Sequence, residues 1–154
     1  MSEQNIQSKK SRWRIILADD YYRKGDNDLE NLKQTLEANG HVVLVFNGVD
    51  PKTRNQIRNP AQLADALMTL ISQEQANGLV LDMIWFRDAS AGNVIVKKLR
   101  RSTTHWDQIE RLVIISQTAS EYEPALLAAG VRKDCIFEKL TSKGWPKEIA
   151  VKFD

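Results

Sequence analysis

The stretch Gly78-Leu79-Val80-Leu81-Asp82-Met83-Ile84-Trp85 decides how this chain is read, because an unbroken apolar run ends there in a lone carboxylate. Residues 78–81 carry no polar side chain, the pattern of a strand buried on both faces in a parallel sheet. An acid at the carboxyl end of such a strand stands where open α/β sheets bind ligands. Taken alone, Asp82 reads equally well as a cap for the following loop, so the neighbouring segments have to decide.

Working outward, the same pattern recurs. Residues 13–18, Trp-Arg-Ile-Ile-Leu-Ala, run into Asp19 and Asp20. Residues 111–116, Arg-Leu-Val-Ile-Ile-Ser, end in the hydroxyl of Ser116, and residues 134–138 lead into Lys139. Residues 41–46 form a further β-branched strand. Helical stripes alternate with these strands. Leu29, Leu32 and Leu36 mark a helix over 26–39, with Asp26 or Asp28 as cap and Gly40 as stop. Asn59-Pro60 opens another, with Leu63, Leu67, Leu70 and Ile71 inward and Asn77-Gly78 as its end. A third covers 90–101 with Val94, Ile95 and Leu99 inward and a basic last turn. Ser120-Glu121-Tyr122-Glu123 has capping-box spacing before a short helix that stops at Gly130. A two-turn helix over 146–153 closes the chain. Residues 47–59, 83–89 and 102–110 are expected as loops, the last with Trp106 packed down.

Five strands alternating with helices imply a flavodoxin-like (βα)5 three-layer sandwich, an α/β fold with a parallel sheet in the order 2-1-3-4-5. That order sets strands one and three side by side, so Asp19, Asp20 and Asp82 converge at one rim. Three carboxylates so placed repel by about 4 kcal/mol per pair at contact distance and an effective dielectric near 20. They need a cation, and an all-oxygen set suits Mg2+. Ser116 and Lys139 reach the same rim, bringing a hydroxyl and a positive charge.

Composition narrows the function. At 154 residues the chain is the size of one domain, expected over residues 12–154 behind a flexible polar tail over 1–11. An apolar fraction of 42% and a charged fraction of 27% are ordinary for a soluble protein. The net charge of +2 asks for no nucleic acid, and Lys9, Lys10, Arg12 and Arg14 read as a solvated run. One cysteine, Cys135, excludes an internal disulfide, and two histidines give no zinc set. No segment reads as a signal peptide or a membrane span, so the expected compartment is cytoplasmic, without membrane insertion.

With these residues in register, the chain resembles the receiver domains of two-component response regulators over about residues 13–153. The motif is an acidic pair after strand one, a lone Asp ending strand three, a Ser or Thr ending strand four and a Lys after strand five. Here these are Asp19 and Asp20, Asp82, Ser116 and Lys139. The resemblance implies that Asp82 accepts a phosphoryl group from a sensor histidine kinase or phosphotransfer protein. It implies that Asp20 binds Mg2+ directly, that Asp19 does so through water, and that the Ile84 backbone carbonyl is a further ligand. Ser116 would hydrogen-bond a phosphoryl oxygen and Lys139 would pair with it. No dedicated enzyme is implied, only self-phosphorylation from a phosphodonor and slow self-dephosphorylation. Signalling would run by docking to an unknown downstream protein.

The chain departs from the family at Gln117, Phe86, Gly92, Ile136 and Leu140. Leu140 replaces the proline after the lysine, Phe86 and Gly92 imply a reshaped loop after the acceptor, and Ile136 stands where an aromatic switch residue is usual. Phe137, one place on, would turn to the opposite face. These differences keep open a second reading, a receiver-like interaction module that works without phosphorylation. A third reading, an unrelated flavodoxin-like enzyme, lacks a Gly-rich phosphate loop and a Gly-x-Ser-x-Gly elbow.

Overall fold

Strands that are apolar on both faces must be covered on both sides, and the architecture follows from that requirement. The structure, a computed structural model, describes residues 12–20, 27–117, 119–139 and 144–154. Strands β1 (Arg14–Ala18), β2 (Val42–Phe46), β3 (Gly78–Asp82), β4 (Arg111–Ser116) and β5 (Ile136–Glu138) pair in parallel in the order β2-β1-β3-β4-β5. The helices among the described residues are α1 (Asn27–Ala38), α2 (Pro60–Glu74), α3 (Ala91–Arg101), α4 (Thr103–Gln108), α5 (Glu123–Ala128) and α6 (Trp145–Val151).

Alternation along the strands divides the core in two. Ile15, Leu17, Val80 and Val113 face α1, α6 and the residues just past α6, where Leu32, Leu36, Ile149 and Phe153 are sealed from solvent. Ile16, Leu79, Leu81 and Ile114 face the opposite way, onto Leu63, Leu67 and Ile71 of α2 and Ile95 and Leu99 of α3. Each such leucine or isoleucine contributes about 1.5–3 kcal/mol by leaving water. The result is the flavodoxin-like three-layer α/β fold that the strand pattern implies. No described helix is long and apolar enough to cross a membrane.

Several local expectations are corrected. The Asn59 side chain does cap α2, accepting the Gln62 amide at 3.1 Å, but α2 ends at Gln75, which takes the left-handed conformation (φ 52°). Gly78 is the first residue of β3 instead. Leu70 and Val94 are only half-buried, and Val96 takes an inward place on α3. Part of the segment expected as a loop over 102–110 forms α4, a short helix with no fully buried residue and therefore no apolar period to read. Trp106 packs against the core beneath it, with the Arg100 guanidinium 5.3 Å above its ring. The capping box does not form: a 3-10 turn over Ala119–Glu121 precedes α5, and the N-cap is Tyr122 without a side-chain bond. The tail over 1–11, the Asp26 cap and Leu140 lie outside the described residues.

The register fixes the functional rim. Ala18 pairs with Leu81, so Asp19 follows at the level of Asp82, while Asp82 itself lies opposite Ile115 of β4. Ser116 pairs with Glu138, and the Lys139 amide donates to the Ser116 carbonyl at 2.8 Å. The ends of β1, β3, β4 and β5 thus present Asp19, Asp82, Ser116 and Lys139 on one edge of the sheet.

Candidate metal centre

Three carboxylates meet at that edge. Asp19, Asp20 and Asp82 offer oxygens that all lie within 4.8 Å of one another, close enough to share one cation. Asp19 and Asp82 are 1% and 4% exposed, so their charges are held almost out of water. The Asp19 backbone N–H donates a hydrogen bond to the Phe46 carbonyl (3.0 Å), which ties the start of this rim to β2.

The charge is partly compensated from the far side of the sheet. Lys139 Nζ donates to Asp19 Oδ2 at 2.9 Å and lies 3.4 Å from Asp82 Oδ2. Burial opposes the lysine's charge, but Asp82 and Asp19 outweigh it and hold the ammonium above its ordinary range. One lysine against three carboxylates still leaves an acidic excess. Burial, with the neighbouring charge of Asp19, pushes the Asp82 carboxyl up to about 7 against the pull of Lys139 and the Ile84 amide. Asp20 is also raised, by burial first, although a bond from the Phe86 amide works in the other direction.

The loop after β3 is built around these acids. The Ile84 amide donates to Asp82 Oδ1 at 3.2 Å, the Trp85 indole N–H to the Asp82 carbonyl at 2.7 Å, and the Phe86 amide to Asp20 Oδ2 at 2.8 Å. Trp85 and Asp88 exchange backbone bonds of 3.2 and 2.8 Å around Phe86 and Arg87, both of which have positive φ (50° and 67°). Two left-handed central residues make a tight hairpin turn of the kind that glycine and asparagine usually supply. Gly92 secures the other end of the loop: its amide bonds the Met83 carbonyl at 2.9 Å, and a Cβ there would lie 2.4 Å from Met83 Cα.

The donor set fits a small hard cation. Asp20 Oδ1 is buried and has no hydrogen-bond partner, an arrangement that costs about 1–3 kcal/mol unless something positive meets it. The cluster contains only oxygens, which suits magnesium or calcium and not zinc. Asp19, Asp20 and Asp82 could therefore hold a metal ion.

Of the site residues named from the sequence, Asp19, Asp20, Asp82, Ser116 and Lys139 lie at or just past the ends of their strands, and Ile84 lies in the loop after β3. Asp19, Asp20, Asp82 and Lys139 are brought into contact; Ser116 is fully buried at the end of β4. Gln117 is exposed. Ile136 packs into the α2–α3 side of the core and Phe137 into the α1–α6 side, as strand alternation required. Sequence reasoning missed the Phe86 amide, the Trp85 indole and Tyr122. Burial, and then the charges of Glu121, Asp82 and Asp88, shift the Tyr122 phenol upward.

No protein-family model matches this chain, and no curated protein does. Among solved structures, the anti-anti-sigma factor PhyR from Bartonella quintana is similar in fold, with a TM-score of 0.52 over 99% of this chain. The fold is receiver-like. Sequence identity in that comparison is 10%, so the likeness concerns the fold alone. The chain spans 51% of the length of that PhyR chain.

Proposed function

We propose that residues 12–154 form a response-regulator receiver domain that takes a phosphoryl group onto Asp82 from a histidine kinase or phosphotransfer protein in the cytoplasm, and signals by binding another protein. The observation that carries this reading is the convergence of Asp19, Asp20, Asp82 and Lys139 at one rim. Asp20 and Asp82 would hold Mg2+ directly, with the Ile84 carbonyl as a further ligand and Asp19 through water. The cation would supply charge neutralisation for the incoming phosphoryl oxygens.

In the transfer, an Asp82 carboxylate oxygen attacks phosphorus, the phosphorus–nitrogen bond of the phosphohistidine breaks, and its electron pair returns to the imidazole ring. Asp82 must be ionised to attack, and Lys139 helps to keep it so. Lys139 also stands where a phosphoryl oxygen on Asp82 would find its partner, and Ser116 would donate to another. Phosphoryl transfer asks the protein mainly for position and charge.

One observation favours the phosphorylation-independent module. Lys139 already bridges Asp19 and Asp82, which gives the cluster partial compensation without a metal. Intact mass after incubation with a small phosphodonor and Mg2+ separates the two. The receiver reading expects the mass of one phosphoryl group on the wild type and none on Asp82→Asn. A wild type that binds Mg2+ but stays unmodified would favour the module.

A further inference from the structure

The turn after the acceptor joins two parts of the molecule that are distant in sequence. Phe86 donates its backbone N–H to Asp20, 66 residues earlier in the chain. Its ring presses on Gly48 in the loop between β2 and α2. A Cβ built at Gly48 would fall 2.9 Å from Phe86 Cζ and 3.1 Å from Leu63 Cδ2, and Gly48 itself has a φ of +76°. Only glycine accepts both that crowding and that backbone conformation without strain.

Gly48 stands between Asn47 and Val49, two residues that line a groove. Its carbonyl accepts the Ile57 amide at 2.8 Å, and Val49 forms a backbone bridge with Gln56, so the two ends of the segment 48–57 are tied together. Together with α2 this segment lines the groove, of about 570 Å³, which includes Val49, Pro51, Ile57 and Leu70. Phe46, on the groove's inner edge, packs at 5.6 Å against Trp85, whose indole is bonded to the Asp82 carbonyl. Two aromatic residues, three and four positions past the acceptor, therefore link the acidic cluster to the neighbourhood of the groove, Trp85 through the Asp82 carbonyl and Phe46, and Phe86 through Asp20 and Gly48.

The strained backbone makes this connection responsive. Phe86 at φ 50° and Arg87 at φ 67° occupy a conformation that non-glycine residues hold only when their surroundings over-determine it. The bond to Asp20 and the packing on Gly48 are what hold Phe86 there. A change at either end alters the balance at the other.

We propose that Phe86 is a positioning residue whose amide orients Asp20 toward the cation and whose ring carries the state of the acidic cluster to the β2–α2 loop. Cation binding then reshapes the groove wall at residues 48–57. This deepens the receiver reading and rests on its metal site. It also places the responsive surface beside β2 and α2, on the opposite flank of the sheet from β5.

The test is hydrogen exchange on the full chain with and without Mg2+, alongside calorimetric titration with Mg2+. Wild type should show slowed exchange at both 83–88 and 48–57. Phe86→Leu keeps the amide and removes the ring, so the 48–57 response should shrink at least about fivefold while 83–88 still responds, the lower end of ordinary coupling between sites. Gly48→Ala pushes from the other end, and because coupling is reciprocal it should weaken Mg2+ binding at least about fivefold. If that variant does not fold, Phe86→Leu carries the test, since a purely structural role would lower its stability without changing the ratio of the two responses. Protection confined to 83–88 in the wild type overturns the coupling and leaves the metal site standing. No binding and no exchange response at all overturns the metal site, and the coupling with it.

Discussion

The two flanks of the acidic rim are built differently. On the β3 flank, the acids are held by fixed hydrogen bonds: Ile84 to Asp82, Phe86 to Asp20, and the buried Trp85 indole to the Asp82 carbonyl. On the β5 flank, a strand of three half-buried residues ends in Lys139, which reaches the acids only through its long side chain. Ile136, the residue that precedes Lys139 by three positions, is aliphatic and packs into the core. The difference teaches that position is set from one flank and charge from the other. A backbone amide fixes an oxygen's place, whereas a lysine, with several rotatable bonds, mainly supplies field.

The largest expected effect attacks the rigid flank where the helix meets the loop. Gly92→Ala would drive a Cβ to 2.4 Å from Met83 Cα and 2.5 Å from the Met83 carbonyl oxygen. Both obstacles are backbone, which cannot swing aside as a side chain can. The cost should reach about 3 kcal/mol, the upper part of the range for overpacking, and lower Tm by about 6–12 °C. A thermal melt checks it. A loss below about 1 kcal/mol would mean that this flank yields, and the comparison would lose its rigid side.

The next effect concerns charge. Without a cation, burial should keep a proton on Asp82 in the folded protein up to about pH 7, while the unfolded chain releases it near the ordinary value of 3.8. Between those values the folded state binds more protons, so stability should fall as pH rises from about 4 to about 7, then level off. Asp82→Asn removes that slope, and above pH 7 the metal-free variant should be more stable than wild type by roughly 2 kcal/mol. The full shift, which already includes the pull of Lys139, would give about 4 kcal/mol, and burying an asparagine amide in place of the carboxyl takes back part of it. Saturating Mg2+ should abolish the difference. Denaturant melts across this pH range decide it, and a wild type that gains stability from pH 4 to 7 without metal would show that Lys139 alone neutralises the rim.

These contrasts also explain how much was legible in the sequence. The strands were readable because burial on both faces demands unbroken apolar runs, and the acids were readable because each stands where such a run stops. Five strands alternating with helices then implied the order, and four strand ends marked the rim. Helix α4 was not readable, since none of its residues is fully buried and nothing marks an apolar face. The capping-box spacing around Ser120 misled because spacing says nothing about the 3-10 turn that displaces the helix start to Tyr122. The tight turn at Phe86 and Arg87 carries no glycine or asparagine to announce it. What holds it is Asp20, a partner 66 residues away, and no local pattern contains that bond.

The smallest effects test the comparison itself, by trimming one residue on each flank. Trp85→Phe keeps an aromatic ring in the core but removes the indole N–H, leaving the Asp82 carbonyl without the donor that meets it at 2.7 Å. A buried acceptor that loses its partner costs about 1–3 kcal/mol, and the smaller ring leaves part of the site unfilled. Ile136→Val removes one methylene from a half-buried position and should cost about 0.5–1.5 kcal/mol, toward the low end because the site is not sealed. Stability alone separates the two only modestly, so the sharper readout is Mg2+ affinity. Trp85 is bonded to the residue that carries the central carboxylate, and Phe86 follows it directly on the way to Asp20. Loosening that anchor should weaken Mg2+ binding several-fold. Ile136 touches no acid, and its variant should bind Mg2+ as the wild type does. Calorimetric titration of both variants beside the wild type decides between a rim positioned from the β3 flank and one that depends equally on both. Equal losses of affinity would remove the distinction between the flanks, because Lys139 would then be positioning the acids as firmly as the backbone amides do.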